Sequence, residues 1–197
     1  MIYLIGGPPR CGKSTLASII LERKGVSCIS TDVIRNFLDF SPTKLGFLQL
    51  EEDKRPEAFF PYFLQFLKIL QNRYPDYVVE GDIFTPQQIT TLQEKITFKC
   101  CFLGMCEITV ENLKKTPPRL DWISKLPADE KAKLSRSITE GNWVSRLSPE
   151  EQEKVPQQLI DTSSWYKTES LKHHFPYFDI YPNQEKALES AYAALTS

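Results

Sequence analysis

Gly7-Pro8-Pro9-Arg10-Cys11-Gly12-Lys13-Ser14 decides how this chain is read. The string fits the spacing G-x-x-x-x-G-K-[ST], and its surroundings fit too. Before it, Met1-Ile2-Tyr3-Leu4-Ile5 is an apolar run of strand length, consistent with burial on both faces. After it, Leu16, Ile19, Ile20 and Leu21 fall at helical spacing over residues 13–23. A strand, a glycine-bearing turn and a helix in that order make an anion nest. Glycine lets the backbone wrap closely, successive N–H groups point inward, and the helix start adds a positive dipole end.

A polyphosphate is the anion such a nest takes, so Gly7, Pro8, Pro9, Arg10, Cys11, Gly12, Lys13, Ser14 and Thr15 are the candidate nucleotide-binding residues. Lys13 would place a charge on the terminal phosphates, Ser14 Oγ can ligate Mg²⁺, and Thr15 can add a phosphate contact. Arg10 is a further phosphate candidate. Cys11 reads in two ways, as a thiol whose pKa the helix end lowers or as a small filler residue.

Outward from the loop, strand and helix alternate. Val26-Ser27-Cys28-Ile29-Ser30 reads as a second strand, and Asp32 to Leu38 as a helix with Thr31 as its N-cap. A loop covers 41–55, and an apolar helix runs from about Pro56 to Tyr74 with Pro61 in its first turns. Tyr77-Val78-Val79-Glu80 is a third strand. Thr85-Pro86 opens another helix, with Thr85 at the cap and Pro86 at the first helical position. Phe98 to Leu103 is a fourth strand, followed by a helix over 107–115. Residues 157–172 read as a helix, Tyr177-Phe178-Asp179-Ile180 as a last strand, and 184–195 as a closing helix. This alternation predicts an α/β fold, a parallel sheet of about five strands covered by helices on both faces.

The chain has 197 residues, which fits one domain over 1–197. Within it, 116–160 reads as a lid insertion: it holds Pro117, Pro118, Pro127, Pro149 and Pro156, many charges and few apolar runs. Lys and Arg number 24 against 25 Asp and Glu, so no basic surface argues for a nucleic-acid partner. No stretch approaches the roughly 20 apolar residues of a membrane span. The amino end carries no basic region or cleavage pattern of a signal peptide. Five cysteines, an odd number without a Cys-x-x-Cys pair, read as reduced thiols of a cytoplasmic protein.

Two further segments carry chemistry. Ser30-Thr31-Asp32-Val33-Ile34-Arg35 follows the second strand, and ligands of such sheets sit outside the carboxyl ends of strands. Asp32 can orient an acceptor hydroxyl or take its proton. Arg35, one turn on, can hold an anionic group of the acceptor. The bland alternative makes Asp32 a helix cap and Arg35 its solvated partner. Val79-Glu80-Gly81-Asp82 ends the third strand. Glu80 or Asp82 can hold the metal there, and the residues do not choose between them; Gly81 allows close backbone approach.

Residues 2–20 resemble the opening of small-molecule P-loop kinases, a group that includes the shikimate, gluconate, chloramphenicol and zeta-toxin kinases. The likeness is strongest to the 2-phosphoglycerate-kinase-like branch, and the Thr31-Asp32 and Glu80-Gly81 elements share it. It covers most of 1–115, is fainter over 157–195 and weakest in 116–160. The resemblance implies a three-layer P-loop fold, ATP and Mg²⁺ as cofactors, and phosphoryl transfer to a hydroxyl of a small molecule. It gives Lys13 and Asp32 the catalytic roles, makes Asp32 and Arg35 the acceptor-binding residues, and implies a lid arginine over the transferred group. Arg136 and Arg146 are the lid candidates, with Arg119 and Trp143 nearby.

Other P-loop classes fit less well, because the chain has neither Asn-Lys-x-Asp nor Asp-x-x-Gly, the guanine-reading and switch strings of GTPases. Two alternatives stay open: a zeta-toxin-like kinase acting on a nucleotide sugar, and a regulatory module that binds ATP with little or no turnover. The acceptor, the choice of ATP or GTP and the oligomeric state are not written in the sequence. His173-His174 read as charge at a helix end, without metal-ligand spacing beside them. Phe59, Phe60, Tyr62, Phe63, Phe66 and Leu67 form an aromatic face, either core or acceptor-pocket wall. The wall reading expects Phe63→Ala or Phe66→Ala to change acceptor choice beyond any effect on folding.

Overall fold

Ile2–Gly6 (β1), Tyr77–Gly81 (β3) and Phe98–Gly104 (β4) form the centre of the sheet, and their residues are almost all buried. Cys28–Ser30 (β2) and Tyr177–Asp179 (β5) are three-residue edges, of intermediate burial except for the exposed Cys28. All pairings are parallel, in the order β2-β3-β1-β4-β5. The computed structural model describes residues 1–40, 45–51, 53–115 and 148–197.

Alternate residues of the strands feed two cores. Ile2, Leu4, Val79, Cys100 and Phe102 face Phe59, Phe63, Leu67 and Leu70 of Arg55–Arg73 (α3). Tyr3, Ile5, Val78, Cys101 and Leu103 face Leu16, Ala17 and Ile20 of Lys13–Lys24 (α1), together with Leu188, Ala191 and Leu195 of the last helix. Strands buried on both faces need no polar alternation, which is why the runs read as continuous apolar segments. The result is a three-layer α/β sandwich.

The remaining α-helices among the described residues are Thr31–Phe40 (α2), Pro86–Thr90 (α4), Val110–Lys115 (α5), Pro149–Lys172 (α6) and Gln184–Thr196 (α7). Thr85 caps α4 as its sequence predicts: it accepts from Gln88 N at 3.2 Å, and Gln88 Oε1 accepts from Thr85 N at 3.0 Å. α6 starts at Pro149, not near 157. Ser148 and Glu151 form a reciprocal cap, and proline at the first position has no N–H to satisfy. Pro156 lies inside the helix and is buried with Val155 and Leu159. An interior proline costs about 3 kcal/mol, so prolines were a misleading sign of irregular chain here; burial of the helix face outweighs them.

The aromatic face of α3 is core. Phe59 and Phe63 are fully buried and stacked, and Phe63 stacks on Phe84 with centroids 5.1 Å apart. Phe63→Ala would therefore act on stability, by about 3–5 kcal/mol, and the pocket-wall expectation finds no support at that residue. Phe66 is partly buried against the same cluster. His173 caps the end of α6, with Nδ1 3.1 Å from Thr90 Oγ1. All five cysteines are free thiols, three of them buried. Among the described residues no helix is long and apolar enough to cross a membrane.

Candidate active site

The register aligns the carboxyl ends of the strands: Ser30 beside Glu80, Gly81 beside Gly6, Gly6 beside Phe102, and Gly104 beside Asp179. The turns leaving these ends share one edge of the sheet, and the strand order reverses between β1 and β3, where ligands of doubly wound sheets sit.

The turn after β1 is shaped by backbone constraint. Gly7 has φ +135°, and a Cβ there would lie 2.1 Å from Leu103 O. Gly12 has φ +83° and stands at the N-cap of α1 without a side-chain cap. No acidic residue occupies the first turn of α1, so the N–H groups at this end are not neutralised by the protein's own carboxylates. Arg10 adopts φ +70°, an uncommon value for a side-chain-bearing residue.

Lys13 is buried, and its Nζ donates to Gly7 O at 2.9 Å and Pro8 O at 2.8 Å. Its ammonium is thus held inside the turn. Burial works against its charge, but nearby anions outweigh that cost, the Cys11 thiolate first and then the carboxylates of Asp82, Glu80 and Asp32, so Lys13 titrates above the usual lysine range. Cys11 is fully buried, and burial pushes its thiol up. The filler reading of Cys11 is the one the structure supports; only its backbone can serve a phosphate.

Glu80 and Ser14 meet. Ser14 Oγ donates to Glu80 Oε1 at 3.3 Å. Glu80 is buried, which raises its pKa, while Lys13 and hydrogen bonds from Ser30 and Ser14 pull it back. Asp82 is half-buried, and its backbone carbonyl accepts from Tyr166 Oη at 2.8 Å. Hard oxygen donors, a serine hydroxyl and one or two carboxylates beside a phosphate nest suit Mg²⁺, which keeps several waters and takes its other ligands from phosphate. Among the described residues no group of three or more His, Cys, Asp or Glu side chains is arranged to hold a metal. The pairing with Ser14 favours Glu80 as its nearer carboxylate.

Asp32 and Arg35 hold each other: Arg35 Nη2 donates to Asp32 Oδ1 at 2.8 Å. The surrounding protein and Asp82 raise the Asp32 pKa, opposed by Arg35 and Lys13. Its side chain is still 54% exposed, so solvent tempers that effect. Thr31 is not the cap its position suggests. It lies inside α2, fully buried, with an unpartnered Oγ1 pressed against Gly81. Gly81 is small because Thr31 occupies its side-chain space, where a Cβ would lie 1.8 Å from Thr31 Oγ1. The close approach expected there is made by protein.

One constellation therefore gathers Lys13, Ser14, Asp32, Arg35, Glu80 and Asp82. Arg119, Arg136, Trp143 and Arg146 lie outside the described residues. Sequence reasoning missed Ser30, Thr31 and Tyr166. Ser30 and Thr31 were legible as neighbours of Asp32; Tyr166 is 84 residues from Asp82 and left no local signal.

No family model matches the chain, and no curated protein matches it. Among solved structures it is similar to shikimate kinase from Acinetobacter baumannii in complex with shikimate, with 16% identity, TM-score 0.52, and coverage of 96% of this chain and 88% of that one. It is also similar to a gluconokinase from Sinorhizobium meliloti 1021, with 16% identity, TM-score 0.51, and coverage of 98% and 90%. The chain has the α/β fold of the small-molecule P-loop kinases.

Proposed function

We propose that this protein is a kinase that transfers the γ-phosphoryl group of ATP, with Mg²⁺, to a hydroxyl of a small molecule. The observation that carries the reading is Lys13: a buried ammonium fixed inside an uncapped helix-start nest, faced by three carboxylates. A nest alone would serve any anion. The carboxylates add the means to hold a metal and to handle an acceptor proton, which phosphoryl transfer needs and simple anion storage does not.

In this reading the backbone of residues 7–15 holds the phosphates. Lys13 exchanges its carbonyl partners for terminal phosphate oxygens and stabilises charge as the phosphoryl group moves. Ser14 and Glu80 would hold Mg²⁺, with Asp82 beside them, and the ion would supply positive charge against the phosphates. Asp32, across the sheet edge, orients the acceptor hydroxyl and accepts its proton. Arg35 steers the Asp32 carboxylate and offers its guanidinium to an anionic part of the acceptor. From the sequence alone, Arg136 or Arg146 of the 116–160 segment would be the arginine that covers the transferred group, within a single cytoplasmic domain. The exposed Asp32 is the specific support for turnover over the regulatory-module reading, because a purely nucleotide-holding protein has no use for a carboxylate there.

The test is coupled ADP release with Mg·ATP against sugars, phosphorylated acids, nucleosides, antibiotics and nucleotide sugars. Acceptor-dependent release with one class supports the kinase and names its acceptor. Binding of Mg·ATP by calorimetry without release for any acceptor would favour the regulatory module, and no binding at all would remove both.

A further inference from the structure

The mechanism above makes no use of the other end of the site edge, where β4 and β5 finish. Asp179, the last residue of β5, accepts from four donors there. Its Oδ2 takes Cys106 N at 2.8 Å, the Cys106 thiol at 2.8 Å and Glu107 N at 3.3 Å; its Oδ1 takes Tyr181 N at 3.0 Å. The two oxygens thus divide the work. One holds the turn after β4, the other the turn after β5.

A second tie closes the circuit. Asn112 of α5 donates from Nδ2 to Tyr181 Oη at 3.1 Å, and Asn112 N donates to Thr109 Oγ1 at 3.2 Å. Beyond Tyr181, Asn183 caps α7 by accepting from Lys186 N at 3.0 Å. The next residue reaches the phosphate loop: Gln184 Nε2 lies 3.3 Å from where a Cβ on Gly12 would be, and Leu188 Cδ2 lies 3.6 Å from the same point. Gly12 is the φ +83° residue that starts α1. Asp179 therefore anchors Tyr181, and three residues further along the same chain Gln184 packs on the back of the phosphate nest.

From this geometry we infer that Asp179 is a positioning residue, whose carboxylate locks the two turns after β4 and β5 together and so holds Gln184 against Gly12 of the phosphate loop. The inference rests on the kinase reading for its functional consequence but not for its structural content. A carboxylate is required because donors approach both oxygens; an amide must turn its NH₂ toward one set and abandon either the β4 turn or Tyr181 N. Charge-assisted bonds of this kind are the stronger ones.

The experiment compares wild type, Asp179→Asn and the milder Tyr181→Phe, which cuts only the second tie. Amide NMR of the full chain reads the structural arm. Asp179→Asn should move the Gly12 and Lys13 amide signals and leave Val79, across the sheet, in place. Calorimetry with Mg·ATP and steady-state kinetics read the functional arm. Dissociation constant and KM for ATP should rise roughly tenfold with kcat held within about twofold; Tyr181→Phe should show the same pattern, smaller. A purely structural role would lower the active fraction and reduce kcat, leaving KM unchanged. Unmoved Gly12 and Lys13 amides in Asp179→Asn, or a KM for ATP equal to wild type in it, would overturn the inference. If Asp179→Asn does not fold, Asp179→Glu, which keeps the charge but displaces the carboxylate, decides by the same readings. If wild type binds no Mg·ATP, the kinase reading falls, and the amide signals alone decide for or against Asp179.

Discussion

The phosphate loop and the first turns of α2 flank the same carboxyl edge of the sheet, yet they are built in opposite ways. The loop is closed and determined by its own backbone: Gly7 and Gly12 at positive φ, Lys13 buried on two carbonyls, Cys11 sealed beneath. α2 is open. Asp32 is half exposed, and Val33, Phe37 and Phe40 present 58%, 72% and 78% of their surface to solvent. In the proposed kinase reading, the difference follows from what each would recognise. A triphosphate tail is the same in every nucleotide, so a rigid nest made of main chain can be complete in itself. An acceptor is particular, and a surface that meets it leaves groups uncovered until it arrives.

The closed loop depends most on Lys13. Lys13→Ala should lower turnover by about 10³-fold, measured as acceptor-dependent ADP release, and weaken Mg·ATP in calorimetry. A variant with normal turnover would mean that the closed half is only scaffold. Next comes Asp32→Asn, which should leave Mg·ATP affinity intact while cutting transfer by about 10²-fold; full activity would take the acceptor chemistry away from α2.

A smaller effect appears in stability against pH. Glu80 has a raised pKa in the folded protein, mainly through burial, so the fold favours its protonated form. The stability it contributes is present below the unfolded carboxylate pKa and is lost as pH rises through the folded value. Urea titrations should therefore show Glu80→Gln gaining stability relative to wild type as pH rises across the carboxylate range. An unchanged profile would show that Lys13 and the serines fully offset its burial. The smallest effect is expected at Phe37. Phe37→Ser should change stability by no more than about 0.5 kcal/mol, yet shift the acceptor KM if the open face meets the acceptor. Loss of several kcal/mol would instead reveal Phe37 as covered in solution.

Much of this was legible in the chain. The P-loop string, its strand and its helix were read from spacing alone, since each depends on neighbours within a few residues. The Thr85-Pro86 helix start was legible for the same reason. The α6 boundary was not: Pro149 and Pro156 look like breakers, and only the burial of Val155 and Leu159 against the sheet shows why the helix runs through them. Nor did the α3 aromatics declare which face of the sheet they would meet. Thr31 matched a cap by type and position, but packing against Gly81 directed its hydroxyl elsewhere.

By itself the sequence determined the anion nest, the order of strands and helices along the chain, and the residue types at the strand ends. These follow from local sterics, hydrophobic period and turn chemistry, which act over short separations. Only the tertiary structure decided which strand ends are neighbours. With β3 between β1 and β2, Glu80 meets Ser14, and Asp32 and Asp82 come within electrostatic reach of Lys13; with β4 beside β5, Asp179 gathers its four donors. Those pairings span tens of residues and depend on how the sheet is ordered, which no short stretch of chain encodes.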